Sequence, residues 1–255
     1  MCLVVIAYRV SGENPLIVAA NRDEFHERPT QPADWWPDAP GLVAGRDLQA
    51  GGTWLGLHQS GRFATVTNFH DENAAPGPFE SRGRLVADFL SGNESAIDYL
   101  ASIRGDAFAG FNLLLSDGSS LAYLSNRGGE PRVLAPGIYG LSNAILDTPW
   151  EKVERSKTHL ADLIDSGNVS DSSLLDLLAD RKKGPFKEVR NRRLPRDIAR
   201  AITAPFIVTP DYGTRCSTVV RNDLSGQWHF LERRFDAAGD STGDSRFSLG
   251  DAING

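Results

Sequence analysis

Two apolar runs stand at the head of the chain, Leu3 to Tyr8 and Leu16 to Ala20, and the segment between them, Ser11 to Pro15, carries turn chemistry. The first run is β-branched and aliphatic, as a buried strand requires. The simplest arrangement of the two is a hairpin. Pairing of that kind sets the polar end of the second run, Asn21-Arg22-Asp23-Glu24, beside the start of the first, where Cys2 sits. Folding would then gather a thiol, a guanidinium and a carboxylate at one end of a sheet.

Further along, Pro29 to Pro40 reads as a Pro-rich loop holding Trp35 and Trp36. Thr53 to Leu57 and Arg62 to Phe69 form a second hairpin across Gln59-Ser60-Gly61. Helical spacing begins at Ser81, with Leu85, Val86, Phe89 and Leu90 on one face and Gly92 as the stop, and resumes at Ile97, Leu100 and Ile103. Short strands follow at 111–115, 121–125, 132–134 and 138–141, then helices at 150–164 and 174–178. Strands at 206–208, 217–221 and 228–235 close the fold. Hairpins dominate and the βαβ rhythm of a parallel sheet is missing, so the expectation is an α+β layered sandwich of two mostly antiparallel sheets with helices outside. Without internal repeats or a linker, residues 1–236 read as one domain. The Gly-, Ser- and Asp-rich segment 237–255 reads as a mobile tail.

Composition excludes several functions. The formal net charge of −6 argues against nucleic acid. The densest basic run, Lys182 to Arg200, is broken by Glu188, Asp197 and two prolines and reads as a solvated helix–loop surface. Two cysteines, Cys2 and Cys216, are too few for a disulfide scaffold and point to a reducing compartment. With His26, His58, His70, His159 and His229 they make no zinc pattern. The apolar start reaches Arg9 too early for a signal sequence or a membrane span, so a cytoplasmic location without stable membrane insertion is expected.

Cys2 carries the clearest chemistry. Cysteine is small enough that removal of the initiator Met is expected, which would leave a thiol beside a free α-amine. That amine titrates at about 7.7–8.0 and can serve as a base near neutrality. A thiol with its own base is a compact nucleophile for acyl transfer. Arg22 could lower the thiol pKa, and Asp23 could orient the amine. Asn68 and Asn143 end strands, where a carboxamide can point at a developing oxyanion. Arg215 enters a late strand, and Asp147 or Thr148 is placed to cap the next helix. Trp35, Trp36, Trp54 and Phe69 could line an apolar cleft. Singly, each of these residues has a bland alternative in packing or turn formation.

Asn21-Arg22-Asp23-Glu24, Gly51-Gly52-Thr53-Trp54-Leu55-Gly56, Thr67-Asn68-Phe69, Ser81-Arg82-Gly83, Gly110-Phe111-Asn112-Leu113-Leu114, and Leu141-Ser142-Asn143 with Asp147-Thr148-Pro149-Trp150 resemble, in order, the blocks of the NRDE-motif family of transport and Golgi organisation proteins. The resemblance implies an N-terminal-nucleophile hydrolase fold, a four-layer αββα sandwich. A more distant similarity, to cysteine amidases of that fold, implies the site set Cys2, Arg22, Asp23, Asn68, Asn143 and Arg215. In those amidases the Arg and Asp are not adjacent. Here they are, and neighbouring strand residues face opposite ways, so both would serve one site only if the strand bends.

The reading that follows is hydrolysis of a small linear amide or acyl substrate through Cys2, with no metal or organic cofactor. Its rival, implied by the same family, is a non-catalytic protein binding or moving haem or a lipid-like ligand. His70, close in sequence to Asn68, is then the axial candidate.

Overall fold

The computed structural model describes residues 2–70, 77–185 and 195–250. Met1 and part of the basic run Lys182 to Arg200 lie outside the described residues. The chain forms β1 (Leu3–Tyr8), β2 (Leu16–Phe25), β3 (Thr30–Trp35), β4 (Leu42–Asp47), β5 (Leu55–His58), β6 (Phe63–Asn68), β7 (Phe111–Ser116), β8 (Leu121–Ser125), β9 (Arg132–Val133), β10 (Gly137–Leu141), β11 (Tyr212–Asn222), β12 (Trp228–Phe235) and β13 (Ser241–Leu249). One sheet runs β10-β1-β2-β11-β12-β13 and the other β3-β4-β5-β6-β7-β8-β9. Every strand pairing in both is antiparallel.

The strand pleat sorts side chains into three cores. Val4, Ile6 and Tyr8 of β1 and Leu16, Val18 and Ala20 of β2 meet Leu55, Leu57, Phe63 and Leu114 of the other sheet. The alternate residues Leu3, Val5, Ala7, Ile17 and Ala19 face α3 (Glu151–Asp165) and α4 (Asp171–Leu178). On the outer face of the second sheet, Ala64, Val66, Phe111 and Leu113 pack on α1 (Arg82–Ser91) and α2 (Ala96–Ser102). The result is the four-layer αββα sandwich.

Several segments differ from the sequence reading. Pro29 to Pro40 is not simply a loop: it contains β3, an edge strand. Pro32 is tolerated because the β3–β4 register breaks between Gln31 and Asp34. Phe206 to Val208 makes one isolated bridge, Val208 to Gly213, rather than a strand. A short helix, α5 (Arg196–Ala201), closes the basic run that reads as a helix–loop surface. The segment from Ala237 is likewise not a tail as far as Leu249. It turns and returns as β13, whose register with β12 runs from Phe235↔Ser241 to Trp228↔Leu249. Exposed polar residues alternate with Ser245, Phe247 and buried Leu249, and that alternation hid a strand behind a disordered composition.

Leu249 is 3% exposed and Phe247 packs edge-on against Trp35 and Phe230. Leu249→Ala should therefore destabilise the protein by about 2–4 kcal/mol in urea unfolding. A mobile tail would give no change.

Candidate functional site

The β1–β2 register is unbroken from Tyr8↔Leu16 to Leu3↔Asn21. One further step along it brings Cys2 level with Arg22. Cys2 is half-buried at the edge of a cleft of about 380 Å³ that opens between the ends of the two sheets. Arg22, Asp23, Asn68, Trp54 and Arg82 also line it.

Arg22 and Asp23 reach the site without the expected bend, because β2 continues as a strand to Phe25. Arg22 takes the inter-sheet face: its guanidinium lies 4.2 Å from the Trp54 ring centroid, 3.4 Å from Asp47 and 3.2 Å from the Thr30 hydroxyl. Asp23 takes the helix-side face and accepts from the Thr214 hydroxyl at 2.7 Å. Its backbone N–H, at the strand end, is turned toward the Cys2 sulfur. Thr214 can face Asp23 because a bulge in β11 shifts the register between Thr214 and Cys216.

Asn143 sits behind Cys2. Its Oδ1 accepts from the Cys2 backbone nitrogen at 3.2 Å and its Nδ2 donates to the Asn68 carbonyl at 2.7 Å. The Ser142 hydroxyl donates to the Cys2 carbonyl at 2.6 Å. Asn143 therefore anchors Cys2, with one amide N–H already engaged, while exposed Asn68 lines the cleft. The loop bearing Asn143 is stapled by Asp147. At φ 59° it accepts from the Gly140 N–H and from Lys157 rather than capping α3, whose cap position is Trp150.

Arg215 does not join this group. It is the extra residue of the β11 bulge, and its guanidinium donates to the carbonyls of Phe25 and Arg28 at 2.7 and 3.2 Å. It lines a separate small cavity whose wall it shares with Arg22 and Trp54. Of the aromatic candidates only Trp54 lines the cleft. Trp36 is buried on α1, Trp35 packs on Phe247, and Phe69 is absent from the lining. His70 is exposed, its N–H donating to the Asn143 carbonyl. Among the described residues no His, Cys, Asp and Glu group is arranged to hold a metal, and no helix is long and apolar enough to cross a membrane.

Two participants escaped the sequence reading. Arg82 projects from the start of α1 into the cleft and donates to the Gly110 carbonyl at 3.0 Å; its charge is felt at the Cys2 sulfur. What brings α1 so close is a backbone contact between two glycines. A Cβ on Gly52 would come within 2.5 Å of the Gly83 carbonyl carbon, and the Thr53 N–H donates to the Gly83 carbonyl at 3.2 Å. The Gly-Gly-Thr-Trp and Ser-Arg-Gly blocks were the available signal. The second participant is Lys152, 1% exposed on the sheet-facing side of α3, whose charge acts on Asp23.

Burial, reinforced by the Asp23 charge, pushes the Cys2 thiol up, and the amino-terminal charge, the Asp23 N–H and Arg22 only partly oppose this. At neutral pH the sulfur is thus a thiol that needs a base. Burial also pushes Asp23 from 3.8 up to about 6, against the pull of the amino-terminal charge first and then of Lys152, the Thr214 hydroxyl and Arg22. Cys216 is buried beside Glu232 and is driven well above the ordinary thiol range.

Comparison with known proteins adds to this geometry. Residues 1–237 match the family described as Transport and Golgi organisation 2. The chain is 37% identical to the Transport and Golgi organization protein 2 homolog of Bos taurus, over 91% of this chain and 92% of that protein. It is 34% identical to the Homo sapiens homolog over the same shares. Among solved structures, a Caenorhabditis elegans N-acylethanolamine-hydrolyzing acid amidase ortholog aligns with a TM-score of 0.50 at 12% identity, covering 86% of this chain and 92% of that one. A mutant conjugated bile acid hydrolase from Clostridium perfringens aligns with a TM-score of 0.52 at 8% identity, covering 98% and 92%. These two likenesses establish the N-terminal-nucleophile hydrolase fold.

A carboxyl whose pKa rises on folding favours the native state while protonated. The advantage is complete below 3.8 and is lost as pH climbs through about 6. At ~1.4 kcal/mol per pH unit the ionised Asp23 costs about 3 kcal/mol near neutrality. Asp23→Asn keeps an acceptor for Thr214 but no longer titrates, so its stability relative to the parent should be higher at about pH 7.5 than at about pH 3.5 by up to about 3 kcal/mol. Denaturant melts at the two pH values would register the change, and an equal difference at both would contradict it.

Proposed function

The chain belongs to the Transport and Golgi organisation 2 family, and from that premise we propose that it hydrolyses a linear amide or related acyl bond of a small molecule through Cys2, once Met1 has been removed. The observation that carries this reading is the anchoring of the Cys2 nitrogen on Asn143 Oδ1 at 3.2 Å, with the sulfur at the lip of a polar cleft. An α-amine held there stands beside a thiol that burial keeps protonated, the pairing a self-contained nucleophile and base requires.

In the proposed reaction the thiol proton passes to the neutral α-amine and the thiolate attacks the substrate carbonyl carbon. The carboxamide of Asn68 stabilises the oxyanion. Collapse breaks the C–N bond, and the leaving amine takes the proton back from the α-ammonium. Water, deprotonated by the same amine, then cleaves the thioester to release the acid and restore the thiol. Asp23 holds the ammonium, Asn143 positions the amine, and Arg22 and Arg82 contribute positive potential. Arg215 lies outside this scheme. Its hydrogen bonds to Phe25 and Arg28 support a role in shaping the β2–β3 turn.

The test separates the two thiols. Intact mass should give a chain lacking Met1. A thiol-reactive acyl probe should label Cys2 at least ten-fold faster than the buried Cys216, so that Cys2→Ala abolishes rapid labelling and Cys216→Ala leaves it. A retained Met1, or labelling that survives Cys2→Ala, would exclude the mechanism.

A further inference from the structure

The Gly110-Phe111-Asn112-Leu113-Leu114 block puts an asparagine where a sheet interior calls for an apolar side chain. Asn112 is fully buried on β7, on the face that carries Leu114 into the space between the sheets, and it stands opposite Thr67 of β6. A buried carboxamide is tolerated when it is hydrogen-bonded, and this one is. Its Nδ2 donates to the Thr67 hydroxyl at 3.1 Å and to the Ala144 carbonyl at 3.0 Å, while its Oδ1 accepts from the Tyr123 hydroxyl of β8 at 2.8 Å. Both hydroxyls go on to the same loop. Thr67 donates to the Ser142 carbonyl at 2.7 Å, and Tyr123 accepts from the Leu146 N–H at 3.0 Å. Three strands of the second sheet thus grip residues 142–146, which follow β10 of the first sheet.

The grip ends on Cys2. Ser142 and Asn143 hold its main-chain oxygen and nitrogen, and Asn143 also reaches the Asn68 carbonyl at the end of β6. The cleft takes one wall from each sheet, Cys2 from the first and Asn68 from the second. Apolar packing between the sheets, around Leu55, Phe63 and Leu114, is non-directional. Hydrogen bonds have fixed lengths and angles and can set one wall against the other. We propose that Thr67, Asn112 and Tyr123 are positioning residues: acting through the 142–146 loop, with Asn112 at the centre, they fix the amine and thiol of Cys2 relative to Asn68. Stability alone does not call for this network. Valine, leucine and phenylalanine at the three positions would fill similar space and leave no polar partner unpaired among them, an exchange that is often close to neutral.

The catalytic meaning of this bridge rests on the proposed hydrolase reading, but its test does not. Cys2 is followed with two reagents, while Cys216, buried in β11, reports on the integrity of the fold. In Asn112→Leu the midpoint of Cys2 alkylation by iodoacetamide should fall from its raised value to about 8.5, as the released residue leaves its buried setting. Labelling of Cys2 by the acyl probe at neutral pH should slow about ten-fold or more, because the nucleophile is no longer held in register with Asn68. Cys216 should stay as slow as in the parent. Thr67→Val and Tyr123→Phe, each of which deletes one hydroxyl, should move both readings part of the way, and Thr67→Ser, which keeps the hydroxyl, should restore them. Those three variants decide if Asn112→Leu does not fold. Unchanged Cys2 readings, or Cys216 opening in step with Cys2, overturn the proposal. A parent that takes no acyl group at Cys2 while the alkylation midpoint still moves as described would sink the hydrolase reading alone.

Discussion

The register between β1 and β2 decides where everything else stands. Antiparallel pairing from Tyr8↔Leu16 to Leu3↔Asn21 leaves the chain start and the second strand's polar end at the same sheet edge. Had the pairing slipped by one residue, every side chain of β1 would exchange faces. Cys2 would then point into the helix layer instead of the cleft. The slip is forbidden by burial: Val4, Ile6 and Tyr8 fill the space between the sheets while Leu3, Val5 and Ala7 fill the space under α3 and α4. The hydrophobic effect on both faces of a strand thus positions the sulfur.

Pleating also explains how four consecutive polar residues do four jobs. Asn21 faces the helices, where its side chain donates to the carbonyls of Leu178 and Pro205 and accepts from the Ser217 hydroxyl. Arg22 faces the other sheet and stacks on Trp54, forming the wall between the cleft and the cavity beside Arg215. Asp23 returns to the helix side. Glu24 lies at the rim, 3.9 Å from Arg28. A run that looks like a single site in sequence is distributed between two layers, joined at the point where the sheet ends and both faces open.

Much of this was legible. Hydrophobic runs located β1, β8 and β12, and capping and spacing located α1 and α3, because those signals are local. The grouping of Cys2, Arg22, Asp23, Asn68 and Asn143 followed from strand ends and a family resemblance. What was not legible depends on distant context. Arg215 was grouped with the site by analogy, and its hydrogen bonds to the Phe25 and Arg28 carbonyls follow from a one-residue bulge that no local pattern announces. That Asn143 also anchors Cys2 is a contact between residues 141 apart. β13 was hidden because an edge strand with one half-buried face needs few apolar residues. Arg82 depends on a glycine-to-glycine contact between the loop before β5 and the first turn of α1, and the burial of Lys152 on α3 lying against β1 and β10, neither of which is encoded in local periodicity.

The buried charges are the least favourable feature of the fold on stability grounds alone. A leucine at residue 152 and an asparagine at residue 23 would fill similar space without desolvating an ammonium and a carboxylate, and replacing buried charged groups by uncharged ones is often neutral or stabilising. The surrounding cores could accommodate them: the helix-side cluster next to Lys152 is aliphatic, and Thr214 would still have an acceptor. What the second substitution would remove is a negative charge that acts on the Cys2 sulfur. Asp23 therefore makes sense as machinery for the first residues of the chain rather than as a contribution to packing. The three hydrophobic layers supply the surplus stability that lets the sheet end carry it.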